Sequence, residues 1–426
     1  MKPGAKTWTL VLILSATATA SYICRVNVST AAPLLMKEFN LDQVLMGRVF
    51  SAFLLGYALF QIPAGALADR WGARRVLAVA TLLWVGLTVL QTIVGCGPFQ
   101  TGAGTALMVF MACRMALGIA EAPTFPGAAQ GVSRWVAPPL QGRANGMVIG
   151  AVGVGSAITP PVVSYVMVHL GWRVALIVSA LPALIMAIVW QRITDPPGNT
   201  SFPQTPAAPA GTPAPTPAFA AGSSRLFQPG FIFLTLSYTL QGYVGYIFVS
   251  WFYLYLVQER NFDLLKAGWM SSLPWILSIV SIPLGGFISD RLAAGPLGQV
   301  WGRRAVPIFG MAMSGILISI GAHTGSAIIA AISLAFATAF VLCVEGPFWT
   351  AMMNIAGRRS GTAGGIMNMG SNLGGLISPA LTPILAKRIG WENALHVAAG
   401  LSILAALLWF AVRPVQASAS SRSAIE

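Results

Sequence analysis

Charge is the scarcest property of this 426-residue chain: 25 Lys and Arg with 11 Asp and Glu amount to only 8% of it. Soluble domains are about 25% charged, so an ordinary soluble fold is excluded. None of the five lysines, Lys2, Lys6, Lys37, Lys266 and Lys387, follows a glycine, which removes the Gly-Lys-Ser/Thr of a phosphate-cradling loop and with it a nucleotide-driven pump. Only three histidines occur, His169, His323 and His396, all near the ends of apolar runs, and there is no Gly-x-Ser-x-Gly elbow for an intramembrane serine hydrolase to use. No filter-like sequence points to a channel. The four cysteines, Cys24, Cys96, Cys113 and Cys343, form neither a disulfide framework nor a zinc spacing. No metal, cofactor or enzymatic activity is expected.

Apolar sequence is abundant: 56% of the residues are hydrophobic, enough for twelve membrane helices of roughly 20 residues each. Runs of that length lie near 8–33, 44–68, 76–94, 104–126, 143–167 and 174–191, and again near 230–256, 267–288, 304–322, 326–353, 363–386 and 393–412. The first continues to Pro33, too long for a cleavable leader. The expected fold is an all-α membrane protein with twelve helices in two six-helix halves, residues 1–194 and 229–414. Between them, 195–228 is rich in Pro and Ala and reads as a cytoplasmic linker; 415–426 reads as a disordered tail.

The net charge of +14 suggests a nucleic-acid binder, but the basic residues sit in short groups between apolar runs rather than on one polar face. Placing both termini in the cytoplasm collects 16 Lys and Arg on that side against 7 on the other, with Arg25 and Arg114 left inside the membrane. The positive-inside rule therefore favours cytoplasmic termini. The halves also repeat each other. Asp69-Arg70 with Arg74-Arg75 recurs as Asp290-Arg291 with Arg303-Arg304, Gly171-Trp172 recurs as Gly390-Trp391, and Glu121-Ala122-Pro123 matches Glu345-Gly346-Pro347. Two similar halves imply a binding site at their interface near the bilayer midplane, and transport by rocking.

Four ionisable residues lie deep in the predicted spans: Arg25, Arg114, Glu121 and Glu345. Each costs roughly 2.5 to 3.5 kcal/mol at a helix centre on insertion scales, so each is expected to face a cavity or a partner. Arg25 lies one turn from Tyr22, and its guanidinium fork matches a carboxylate; an anionic substrate follows, the alternative being a tie to a carboxylate on another helix. Arg114 and Glu121 are two turns apart with Gly118 between them, leaving room for both to face one cavity. Glu121 is the leading proton site, the alternative being a structural ion pair. Glu345 beside the Gly346-Pro347 break is a further proton candidate. Asn368 and Asn372, one turn apart, read either as a hydroxyl-binding face or as interhelical glue. Tyr57 and Trp349 line the cavity or simply pack. Gly146, Gly150, Gly153 and Gly155 read as close helix packing.

The run Gly65-Ala66-Leu67-Ala68-Asp69-Arg70-Trp71-Gly72-Ala73-Arg74-Arg75 resembles the signature loop of the major facilitator superfamily, with a degenerate copy from Gly286 to Arg304. Tyr22-x-x-Arg25-x-Asn27, the run from Phe50 through Tyr57 to Pro63, and Arg114 through Glu121-Ala122-Pro123 to Pro126 resemble its anion:cation symporter family. That family includes bacterial galactonate, glucarate, hexuronate and phthalate transporters and animal vesicular glutamate and sialic acid carriers. The resemblance implies a cytoplasmic gate at Asp69, Arg70 and Arg74, echoed at Asp290 and Arg291. It also implies substrate carboxylate on Arg25, help from Tyr22 and Tyr57, titration of Glu121, and a contribution from Asn368 or Asn372. The chain departs from many proton-coupled sugar-acid members at Cys24, where they carry an acid, and at Val152, where some carry an amide.

The expected function is import of a small organic anion, a sugar acid or other carboxylate, by proton symport across a bacterial inner membrane, with a monomer sufficient. The alternatives are a proton-coupled exporter of drugs or metabolites, for which the usual span 5 Gly-Pro-x-x-Gly element is missing, and an uncoupled anion exchanger. A non-transporting sensor lacks a foldable signalling segment.

Overall fold

The computed structural model describes residues 5–96, 102–193, 228–356 and 360–414. All but the last residue of the expected linker 195–228, the tail 415–426, and Lys2, Arg358 and Arg359 of the sidedness argument lie outside them. Among the described residues the regular elements are helices: α1 Ala5–Phe39, α2 Gln43–Trp71, α3 Ala73–Ile93, α4 Ala103–Glu121, α5 Thr124–Trp135, α6 Pro138–Arg192, α7 Pro229–Ser250, α8 Phe252–Gln258, α9 Leu264–Ala294, α10 Gly298–His323, α11 Ala327–Cys343, α12 Glu345–Ala356 and α13 Ser360–Leu408.

Ten segments among the described residues are long and apolar enough to cross a membrane. Two of them, α6 and α13, are far longer than one crossing, and each contains a single non-helical residue, Gly171 (φ 82°) and Gly390 (φ 82°). Only glycine takes that conformation without a Cβ penalty. Each long helix is thus two spans joined at a sharp corner, which brings the total to the twelve expected, and the Gly-Trp repeat marks those corners. Spans 4 and 10 are interrupted at equivalent places: α4 ends at Glu121 before Pro123, and α12 begins at Glu345 before Pro347. A proline lacks the N–H that would continue the ladder, so both deep carboxylates sit where a span breaks.

The chain divides into two compact units. The first is Met1–Thr212 with Val249–Ile276 and Pro379–Ile384. In it α1 and α3 lie along α6, and α2 lies on α4. The α2–α4 contact is backbone to backbone: a Cβ on Gly118 would run into the Phe53 carbonyl and lie 2.9 Å from the Tyr57 nitrogen. Gly118 therefore serves helix contact and does not open a space between Arg114 and Glu121. Of the span 5 glycines, Gly155 lies against Thr19 and Tyr22 of α1, whereas Gly146 and Gly150 face open space. Replacing Gly118 with Val is expected to cost about 1–3 kcal/mol or more by overpacking, read as a lower melting temperature in detergent. Gly146→Ala is expected to leave melting unchanged.

At one end of this unit Arg173 donates to Glu38 Oε1 (2.5 Å) and Oε2 (3.1 Å), and also to the carbonyls of Thr92 and Val94, joining α1, α3 and α6. Segment Val249–Ile276 is held by Ser164 Oγ to Tyr253 OH (3.0 Å), Ser272 Oγ to the Ala157 carbonyl (2.5 Å) and Gln43 to Gln258 (2.8 Å).

The second unit is Pro213–Phe248, Leu277–Ser378 and Leu385–Glu426. Its core gathers Phe231, Leu234, Tyr238, Val344, Phe348 and Trp409 around Met311, with α10 packed on α11. In a bilayer the alternative to this packing is lipid, so what holds the cluster is van der Waals contact rather than removal from water.

Candidate functional site

In the first unit the deep charges converge. Arg25 of α1 donates through Nε to Glu121 Oε1 at 3.2 Å, with its Nη2 3.1 Å from the same oxygen. The two side chains are only 4% and 1% exposed, so the pair is held out of water. Its guanidinium Nη1 also donates to the Tyr22 hydroxyl at 3.2 Å. Three aromatic rings surround it: Tyr22, Tyr57 and Phe53, with centroids 4.5, 4.6 and 5.0 Å from Cζ. A cation facing aromatic rings gains about 0.5–2 kcal/mol per ring according to desolvation. Tyr22 and Tyr57, expected on sequence grounds, belong to this cage. Phe53 was not singled out, and its signal was the helical spacing of four residues to Tyr57, with which it stacks at 6.2 Å.

Arg114 turns to the backbone of α1. Its Nη1 and Nη2 donate to the backbone carbonyls of Cys24 (3.3 Å) and Arg25 (3.0 Å), and its Cζ lies 4.9 Å from the Phe53 ring centroid. Seven residues of helix rise about 10.5 Å, which separates Arg114 from Glu121 along α4, and the guanidinium hydrogen-bonded to Glu121 is that of Arg25 on α1. Arg114 thus positions the α1 backbone that carries Arg25. Glu121 Oε2 is buried and accepts no hydrogen bond. The cluster of Arg25, Arg114 and Glu121 carries one net positive charge when ionised, a buried excess that an anion would offset. Cys24 is buried with its thiol directed at the Ser179 carbonyl, 3.9 Å away.

In the second unit Glu345 is held by neutral donors: the Tyr238 hydroxyl to Oε2 at 2.8 Å and Gln241 Nε2 to Oε1 at 2.9 Å. Neither Tyr238 nor Gln241 was anticipated. Trp349 is 36% exposed and its ring lies over Gly364 of α13. On α13, Asn372 is buried and Asn368 half-buried. A separate cavity of about 550 Å³ in this unit, bordered by Leu284, Ile288, Phe309 and Phe340, is apolar and contains none of the candidate residues.

The signature-loop residues hold helix ends. Gly72 (φ 83°) turns the chain from α2 into α3. Arg74 donates to the carbonyls of Trp190 (3.4 Å) and Gln191 (3.2 Å) at the end of α6; Arg304 donates to the Val412 carbonyl (2.6 Å) in the second unit. Cations at helix C-termini complement the exposed carbonyls. Asp290 at the end of α9 pairs with Arg303 of α10, 13 positions on, at 2.5 Å. Among the described residues no group of three His, Cys, Asp or Glu is placed to hold a metal.

The Major Facilitator Superfamily profile matches residues 14–294 and 292–425. The chain is 32% identical to a protein named probable sulfoacetate transporter SauU from Cupriavidus necator, over 87% of this chain and 85% of the relative. It is 26% identical to the hexuronate transporter of Bacillus subtilis, over 95% and 94%. Its fold is similar to that of a bacterial homologue of the human lysosomal transporter Spinster, with a TM-score of 0.79 at 17% identity over 96% of this chain and 97% of that one. With its polytopic helical build, a profile matched nearly end to end and transporters as relatives, the chain is an integral-membrane secondary transporter and not an enzyme, and it belongs to the Major Facilitator Superfamily.

Proposed function

We propose that the protein imports a small organic anion, a sugar acid or other carboxylate, by proton symport across a bacterial inner membrane, with both termini cytoplasmic and a monomer as the working unit. Halves 1–194 and 229–414 alternate access, joined by the linker 195–228, with 415–426 as a tail. The single observation that carries the reading is Arg25, buried, caged by three rings and tied to Glu121 by one carboxylate oxygen.

A substrate carboxylate is a better bidentate match for the guanidinium fork than the single Glu121 oxygen now on it. When the anion takes Arg25, Glu121 loses its counter-charge in a low-dielectric setting and binds a proton instead. The anion and the proton are thereby linked through one guanidinium. One proton per monoanion makes this step electroneutral. Tyr22 and Tyr57 hold the carboxylate against Arg25, Arg114 fixes the α1 backbone, and Trp349 with Asn368 or Asn372 supplies the C-terminal half's contacts. Asp69, Arg70 and Arg74, with Asp290 and Arg291, act as the cytoplasmic gate. Relatives named for sulfoacetate and hexuronate transport support an anionic cargo.

The test is uptake of labelled D-glucuronate, sulfoacetate and phthalate into liposomes holding the purified protein. An inward proton gradient is expected to drive accumulation of at least one of them, and its collapse to abolish it. Cys24, in the place where an acid would carry a proton, favours a second reading, anion exchange without protons. Equal uptake with and without the gradient would select that reading, and proton-driven efflux of a preloaded drug or metabolite without anion accumulation would select export.

A further inference from the structure

The two halves share one more motif. Thr19-x-Ser21-Tyr22-x-x-Arg25 in α1 recurs as Thr235-x-Ser237-Tyr238-x-x-Gln241 in α7, at a constant offset of 216 residues. Together with the Glu121 and Glu345 repeat, each half therefore carries Tyr, a basic or amide residue three positions on, and a carboxyl at a broken span. In both, the structure brings the second residue of the set onto the carboxyl: Arg25 on Glu121 at 3.1 Å, and Gln241 on Glu345 at 2.9 Å. The copies differ in charge. Glu121 meets a guanidinium where Glu345 meets an amide.

The surroundings of Glu345 offer no replacement for that cation. Tyr238 donates its hydroxyl from α7 and packs on Phe348 at 4.9 Å, inside the apolar core that includes Trp409. Gln241 is 3% exposed and also donates to the Val341 carbonyl at 3.2 Å. The other titratable groups nearby are Tyr246, further along α7, and Cys343 of α11, whose thiol turns to the Phe340 carbonyl; Trp349 faces Glu345 from its own helix. Among the described residues no Lys, Arg or His forms an ion pair with Glu345. An ion removed from water needs a compensating charge. With no cation beside it, a proton is the compensation open to Glu345.

We propose that Tyr238, Gln241 and Glu345 form a second proton-binding site, and that Gln241, by standing where the other half has Arg25, is the residue that makes it one. The inference rests on the symport reading for its consequence in transport but not for the site itself. At Glu121 anion and proton share Arg25. At Glu345 no cation is shared, so the proton binds whether or not the anion is present. The second proton compensates for the acid missing at Cys24.

The C=O stretch of a protonated carboxyl, followed by infrared difference spectroscopy on the purified full-length protein in lipid, reads the site directly. The wild type is expected to show a protonated carboxyl that titrates with pH, survives Glu121→Gln, and is unchanged by D-glucuronate or sulfoacetate. Glu345→Gln is expected to remove it, and Gln241→Arg to remove it near neutral pH by restoring an ion pair. Because Glu345→Gln could misfold, the wild-type spectrum and the Gln241→Arg spectrum each decide the matter alone. A wild type without the band, or a band untouched by either substitution, overturns the proposal. In liposomes Glu345→Gln is expected to accumulate about tenfold less anion per unit of pH gradient, the value of one proton. Uptake that ignores the gradient while the band behaves as described would overturn symport and leave the site intact.

Discussion

Arg25→Ala is expected to abolish anion uptake and to lower stability at the same time. Removing the guanidinium deletes the strongest anion-binding group in the first unit and strands Glu121, which is 1% exposed and has one oxygen already without a partner. Breaking a buried pair from one side costs about 3–5 kcal/mol. A loss of uptake in this variant alone would therefore say little about binding. Arg25→Ala combined with Glu121→Gln removes both charges, so it is expected to recover most of the melting temperature while uptake stays absent. Arg25→Lys keeps the charge but loses the fork and its fit to three rings; a charge-assisted hydrogen bond is worth about 1.5–3 kcal/mol, which corresponds to uptake about 10- to 100-fold weaker. The checks are thermal melting and initial uptake of labelled D-glucuronate and sulfoacetate in liposomes. If the double variant melts normally and still transports, Arg25 is a structural tie between α1 and α4 and the anion binds elsewhere.

Much of the fold was legible because membrane helices announce themselves by length and apolarity. The Gly171-Trp172 and Gly390-Trp391 repeat was readable as a repeat, and its backbone meaning, a positive φ of 82° at each glycine, emerged in three dimensions. Glu121 and Glu345 were found because a charge in a span is costly wherever it points. Their partners were harder to read. The sequence put Arg114 and Glu121 on one helix face, but a helix pattern gives direction and not the identity of the neighbouring helix; the residue that reaches Glu121 is Arg25, 96 positions away. Gly118 likewise looked like spare room, and is instead where α2 and α4 touch backbone to backbone. Tyr238 and Gln241 passed unnoticed because neither is charged. The signal that would have found them was an alignment of α1 with α7, in which Gln241 falls opposite Arg25.

Glu121→Gln is expected to separate the anion from the proton. Glutamine has nearly the shape of a protonated glutamate, so α4 keeps its packing, but position 121 can no longer gain or lose a proton. Arg25 then faces a neutral amide instead of a carboxylate in every state, beside Tyr22 and the aromatic cage. Competition for the guanidinium disappears, and anion affinity is expected to rise by about tenfold or more, since a charge-assisted bond no longer has to be given up. Release becomes slower for the same reason. Counterflow of anion for anion is expected to persist, because that exchange needs no change at position 121, whereas accumulation driven through Glu121 is expected to vanish. Binding of unlabelled D-glucuronate or sulfoacetate, counterflow, and gradient-driven uptake measured on the same preparation give three independent readings. Tighter binding with counterflow retained and gradient-driven accumulation cut by about tenfold per unit of pH gradient, the value of one proton, identifies Glu121 as the group through which anion and proton are linked. Gradient-driven accumulation that survives at the wild-type level would place the coupling proton outside the Arg25 cluster and reduce the pair to a latch between α1 and α4.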